Sequence, residues 1–132
     1  MDQAEAEVGA QATAPCVLIV EDNDLNLKLF CDLLRAHGYR VEGIKDGREV
    51  MARALAIVPD LVVMDIQLPN VSGLELIQQI RAEPSLSAVP IVAVTAYAAP
   101  GDEQRIRGAG ADAYVPKPVT VKSFLSVVRS LL

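Results

Sequence analysis

The chain has 132 residues, 52% hydrophobic and 22% charged, which suits one domain with a buried core and is too apolar for intrinsic disorder. Its 12 Lys and Arg stand against 17 Asp and Glu, a net charge of −5 that argues against charge-driven binding of nucleic acid. Two cysteines, Cys16 and Cys31, are too few for a disulfide framework, and no apolar run approaches the roughly 18 residues of a membrane span. A cytoplasmic protein without membrane insertion is the expectation.

Residues 1–15 are rich in Ala, Gln and Glu, lack Leu and Ile, and have little to bury, so they read as a flexible leader to a single domain over residues 16–132. Within that domain Val17–Val20, Leu61–Met64 and Ile91–Val94 are short, continuous apolar runs. Runs apolar at every position predict strands covered on both faces, as in a parallel sheet. Arg40–Ile44 and Ala113–Val115 are weaker strands of the same set. Helical stretches alternate with them. Leu25–His37 ends at Gly38, Asp46 can cap Gly47–Ile57 before Pro59, and Ser72 can cap Gly73–Ala82. Pro100–Ala109 is a fourth helix, and Thr120 can cap a fifth over Val121–Leu131. The alternation predicts an α/β fold: a doubly wound, five-stranded parallel sheet of (βα)5 type.

Sheets of this kind carry their functional groups at the carboxyl ends of the strands, beside the switch in strand order. Glu21, Asp22 and Asp24 follow strand one, Asp65 follows strand three, Thr95 ends strand four, and Lys117 sits between two prolines after strand five. Gathered carboxylates repel one another unless a proton or a cation intervenes, and an all-oxygen donor set suits Mg²⁺. Asp22 and Asp65 are the expected direct ligands, with the longer Glu21 acting through water. Lys117 and Thr95 suit phosphoryl oxygens, which makes Asp65 a nucleophile that accepts a phosphoryl group. Each residue alone has a plainer reading: acids favouring a helix N-terminus, a threonine ending a strand, a solvated lysine. Their joint arrival at one rim favours a site.

These residues resemble the receiver domain of bacterial two-component response regulators. The resemblance is carried by the order of Asp22, Asp65, Thr95, Tyr114 and Lys117 and by the flanking words VLIVEDN (17–23), LVVMDIQLP (61–69), IVAVTA (91–96) and GAGADAYVPKP (108–118). The wording around Glu21-Asp22-Asn23 with Asn26 most resembles the stand-alone DivK type. The resemblance implies a flavodoxin-like receiver fold, strand order 2-1-3-4-5, with Asp65 as phosphoacceptor. It implies Mg²⁺ held by Asp22, Asp65 and the backbone carbonyl of Gln67, with Glu21 assisting. It further implies a phosphoryl group bound by Thr95, Lys117 and the Ala96 backbone, a Thr95–Tyr114 switch pair, a cis Lys117-Pro118 bond, and a role in cell-cycle regulation. Glu21 stands where Asp is frequent, and Gln67 and Tyr97 occupy variable places beside the phosphoryl site.

The implied partners are a sensor histidine kinase or a histidine phosphotransfer protein and a downstream protein target. The first helix is apolar around more than twice the roughly 100° arc of a one-sided surface helix. Burial on both flanks is one explanation; docking of the histidine-bearing donor on Leu25, Leu29 and Phe30 is the other. The fourth helix is mostly charged, with Ile106 its only large aliphatic, so it can move at low cost. His37 lacks a second His or paired Cys and suits no zinc site. With no output module after the fifth helix, signalling is expected through protein contact or phosphorelay. The alternatives are an interaction module independent of phosphorylation and an aspartyl-phosphate phosphatase. The phosphatase commonly needs an acid two residues after the nucleophile, where this chain has Gln67.

Overall fold

Apolar runs too uniform to leave one face wet form the centre of a three-layer sandwich. The computed structural model describes residues 14–96 and 99–132; most of the expected leader, and Tyr97, lie outside them. The elements run β1 (Cys16–Val20), α1 (Asp24–Ala36), β2 (Arg40–Ile44), α2 (Val50–Ile57), β3 (Leu61–Asp65), α3 (Gly73–Ala82), β4 (Ile91–Thr95), α4 (Asp102–Ala109), β5 (Ala113–Pro116) and α5 (Val121–Leu131). All strand pairs are parallel, as the alternation predicts, and the order is β2-β1-β3-β4-β5, as the resemblance implies.

Successive strand residues point to opposite faces and so supply two cores. Leu18, Val20, Val62, Met64, Ile91 and Ala93 face α2, α3 and α4, where they meet Val50, Leu76, Ile77, Ile80 and Ile106. Val17, Ile19, Leu61, Val63, Val92 and Val94 face α1 and α5, where they meet Cys31, Leu34, Phe124 and Val128. β3 and β4 are buried at every position.

Hydrogen-bonded caps fix where the helices begin. Asn23 Oδ1 accepts from the Asn26 amide (2.9 Å), Ser72 Oγ from Leu74 (3.2 Å) and Thr120 Oγ1 from Ser123 (3.2 Å). Two helix starts differ from expectation by more than one residue. The stretch expected as helix from Gly47 opens instead as a 3₁₀ turn over Gly47–Glu49. There Asp46 accepts from the Arg48 amide and pairs with its guanidinium, while Gly47 packs so tightly that a Cβ would lie 3.2 Å from the Leu76 side chain. The fourth helix starts at Asp102 rather than Pro100, because Gly101 takes the left-handed conformation (φ 91°) and Asp102 accepts from the Ala99 amide.

At the amino-terminal rim, Arg81 on α3 ties two loops together. It donates to the carbonyls of Gly110 (2.9 Å) and Val89 (2.6 Å) and pairs with Asp112 (2.6 Å), whose carboxylate also accepts from the Ile91 amide. This knot anchors one end of β4 and β5 and leaves the opposite rim to carry chemistry.

Candidate functional site

The strand order reverses between β1 and β3, and the crevice at their carboxyl ends is where side chains from separate loops converge. Glu21, the first residue past β1, is held by its own amide, which donates to Ile44 O at 3.0 Å and extends the pairing with β2. Only 2% of Glu21 is exposed. Asp65 is the last residue of β3 and equally buried, while Asp22 is exposed on the loop beside them. One carboxylate oxygen from each of the three lies within 4.8 Å of the others.

Lys117 Nζ sits 3.3 Å from both Glu21 Oε2 and Asp65 Oδ2. The Lys117 backbone is fixed in turn, its amide donating to Thr95 O at 2.8 Å, and its bond to Pro118 is cis. Burial raises the pKa of Glu21, the neighbouring charge of Asp65 raises it further, and Lys117 with the Asn23 amide opposes them. For Lys117, burial works against the ammonium, but the carboxylates of Asp65 and Glu21 prevail and hold its pKa above the ordinary value. A buried carboxylate pair, a third acid at the mouth and one ammonium leave the site net negative. Oxygen-only donors with that charge fit a hard divalent cation such as Mg²⁺.

The other expected residues fall around this centre. Thr95 is fully buried at the end of β4. Tyr114 is half-buried on β5, packed against the core on the α4 side, and lines a cleft with Glu103, Arg107 and Pro116. Ala96 follows Thr95, and its amide donates to Gln67 Oε1 at 3.2 Å. The Gln67 amide donates to Asp65 Oδ1 at 2.9 Å, fixing the carboxylate from the opposite side to Lys117. On α1 the apolar arc divides: Cys31 and Leu34 are buried, Phe30 stacks on Phe124 (centroids 4.9 Å apart), and Leu25 and Leu29 are 65% and 56% exposed. Leu29 and Phe30 line a groove of about 840 Å³ that reaches Lys117, Pro118 and Val119. Burial thus accounts for one flank of α1 but not for its outer edge.

Two positions escape a reading of motifs. At Gly73 any Cβ would lie 2.4 Å from the Asp65 carbonyl oxygen, so only glycine lets α3 approach the end of β3 this closely. The signal is faint in the chain: a glycine directly after a capping serine. The side-chain bond from Gln67 to Ala96 joins residues 29 apart and leaves no trace in spacing.

Residues 17–129 match the response regulator receiver domain model, and the chain belongs to that family. It is a phosphoacceptor signalling module that acts on its own side chain rather than turning over a separate substrate. It is 47% identical over 116 residues to the polar-differentiation response regulator DivK of Brucella anthropi, covering 88% of this chain and 94% of that one. Among solved structures it resembles the Vibrio cholerae chemotaxis response regulator CheY4, with TM-score 0.86 and 28% identity over 91% of this chain and all (100%) of that one. It also resembles the receiver domain of the sensor histidine kinase PA1611 from Pseudomonas aeruginosa PAO1, with TM-score 0.82 and 32% identity over 90% and 98% of the two chains. That structure has a magnesium ion coordinated in its active-site cleft. Among the described residues no helix is long and apolar enough to cross a membrane.

Proposed function

We propose that Asp65 accepts a phosphoryl group from the histidine of a sensor kinase or phosphotransfer protein, and that the domain over residues 16–132 signals through the contacts this modification changes. The observation that carries the reading is the Lys117 ammonium 3.3 Å from a buried carboxylate pair that has a third acid at its mouth. A carboxylate oxygen of Asp65 attacks phosphorus, the phosphorus–nitrogen bond breaks, and the leaving imidazole takes up a proton. Lys117, Thr95 Oγ and the Ala96 amide receive the phosphoryl oxygens. Asp22, Asp65 and the Gln67 carbonyl would hold Mg²⁺, with Glu21 acting through water; the magnesium ion in the active-site cleft of the PA1611 receiver domain supports a metal at this site. When bound, Mg²⁺ supplies the charge neutralisation that lets an anionic phosphoryl group approach an anionic acceptor. Thr95 and Tyr114 form the switch pair, and a target that binds one state more tightly turns the shift in population into a signal. The relatives' name extends to this chain a role in polar differentiation.

The donor docks along the outer edge of α1, on Leu25, Leu29 and Phe30. Exposure of two leucines beside a groove that runs to Lys117 supports this placement. For Leu29→Asp, the ratio of phosphoryl uptake from a histidine-phosphorylated donor to uptake from acetyl phosphate is expected to fall about tenfold or more, as for a charge placed in an apolar contact. Rapid-quench measurement of both rates checks this; an unchanged ratio removes the docking role.

Magnesium affinity should depend on pH through Glu21. Its raised pKa means that its contribution to the stability of the metal-free fold is full below the ordinary value of 4.5 and is lost as pH rises through the folded value. The metal needs the ionised form and stabilises only the folded state, by about 2.7 kcal/mol at a hundred times its dissociation constant. The gap between thermal midpoints with and without Mg²⁺ is therefore expected to widen with rising pH and to close as pH falls toward 4.5. Differential scanning fluorimetry across pH measures it, and a gap that does not change with pH contradicts the assignment of Glu21.

A further inference from the structure

We infer that the Gln67 side chain is a positioning residue that occupies the phosphoryl-oxygen donor at Ala96 in the unphosphorylated protein, so that it competes with the incoming phosphoryl group. The inference rests on the phosphoacceptor reading of Asp65.

Gln67 touches both halves of the site. Its backbone amide donates to Asp65 Oδ1 at 2.9 Å, and its side-chain Oε1 accepts from the Ala96 amide at 3.2 Å. Gln67 is exposed, so no packing forces its carboxamide into that position. The Oε1 atom carries partial negative charge and stands against a backbone donor one residue past buried Thr95. A phosphoryl oxygen on Asp65 needs a donor of the same kind. One N–H pointing at one oxygen cannot fully serve both, so loading Asp65 breaks the Gln67–Ala96 bond. Until then the bond ties the loop after β3 to the residue after β4. The unmodified state is thereby favoured, and the cost is borne on phosphorylation, where the Gln67 backbone continues to hold Asp65.

The test uses beryllofluoride, a tetrahedral mimic of a carboxylate-bound phosphoryl group, titrated at saturating Mg²⁺ into the full chain. Gln67→Met keeps length and bulk but removes the acceptor, and Gln67→Ala removes both. Each is expected to bind beryllofluoride about three- to tenfold more tightly than the wild type, the worth of one ordinary hydrogen bond. The Ala96 amide proton should move upfield in both free variants and converge with the wild type once beryllofluoride is bound. Wild-type affinity in Gln67→Met removes the latch, as does a gain confined to Gln67→Ala, which would be relief of bulk. A change of equal factor in Mg²⁺ affinity also overturns it, because the effect would then run through the Gln67 carbonyl. If the wild type binds no beryllofluoride at all, the phosphoacceptor reading fails and the latch with it; binding of equal strength in all three proteins removes the latch alone.

Discussion

Asp65→Asn is expected to abolish phosphoryl uptake from every donor. The amide has no anionic oxygen to attack phosphorus, and none of the neighbouring groups replaces it: Glu21 is buried against Lys117, and Asp22 lies on the exposed loop. The loss is chemical rather than structural, and stability data can separate the two. Glu21 and Asp65 share one ammonium, and the charge of Asp65 contributes to the raised pKa of Glu21. Removing one of two buried like charges relieves repulsion. Metal-free Asp65→Asn should therefore unfold at a temperature no lower than the wild type while taking up no phosphoryl group. Intact-protein mass after exposure to acetyl phosphate reads the first, and calorimetry the second. A variant that is inactive because it is unfolded does not meet this expectation.

Lys117→Met should slow phosphoryl uptake by about 10²–10³-fold, the usual loss when one preorganised donor to a developing oxyanion is removed. Its effect on stability runs opposite to that of Asp65→Asn. The ammonium offsets two carboxylates that are each only 2% exposed, and without it they face one another uncompensated. Breaking a fully buried pair costs about 3–5 kcal/mol; with 22% of the Lys117 side chain exposed, about 1–3 kcal/mol is expected here. Saturating Mg²⁺ should recover much of that loss, since a dication compensates the same charges. Equilibrium denaturation with and without the metal checks stability, and stopped-flow mixing with acetyl phosphate checks the rate. Wild-type uptake in Lys117→Met would place Lys117 outside the site.

The interiors of β1, β3 and β4 were legible in the chain because burial on both faces leaves no polar position. Arg40–Ile44, Gly73–Ala82 and Val121–Leu131 coincide with the expected elements to the residue, whereas the order 2-1-3-4-5 was legible only through the family resemblance, since alternation alone allows other doubly wound orders. Strand ends were less legible. Thr95 ends β4 as expected, but Asp65 belongs to β3 rather than following it, since the Ile66 amide still donates to Val94 O. Polarity suggests that a strand has stopped, whereas the ladder is set by partners far away in sequence. That difference bears on the site, because a nucleophile held in a strand is more rigid than one on a loop. Helix starts went astray where backbone conformation decided: Gly101 at positive φ, and Asp46 curling onto Arg48. Val58 closes α2 in the left-handed region at φ 44°, ahead of the Pro59 expected as the stop, and a β-branched residue gives no warning of that.

The site itself was legible as a set of residue types at strand ends. Its connections were not. That Lys117 bridges two carboxylates and that Gln67 closes over the Ala96 amide are contacts between residues 29 to 96 apart, and that Gly73 lets α3 touch β3 is a close approach of backbone atoms. Spacing reports which residues reach one rim, and only the packed fold reports which atoms meet.

Peptide mapping of the phosphorylated protein tests the central assignment most directly. Wild-type chain treated with acetyl phosphate and ample Mg²⁺ is expected to gain the mass of one phosphoryl group, carried on the peptide containing Asp65, with no gain when the metal is chelated. No gain with the metal present, or a phosphoryl group on any other residue, would contradict it.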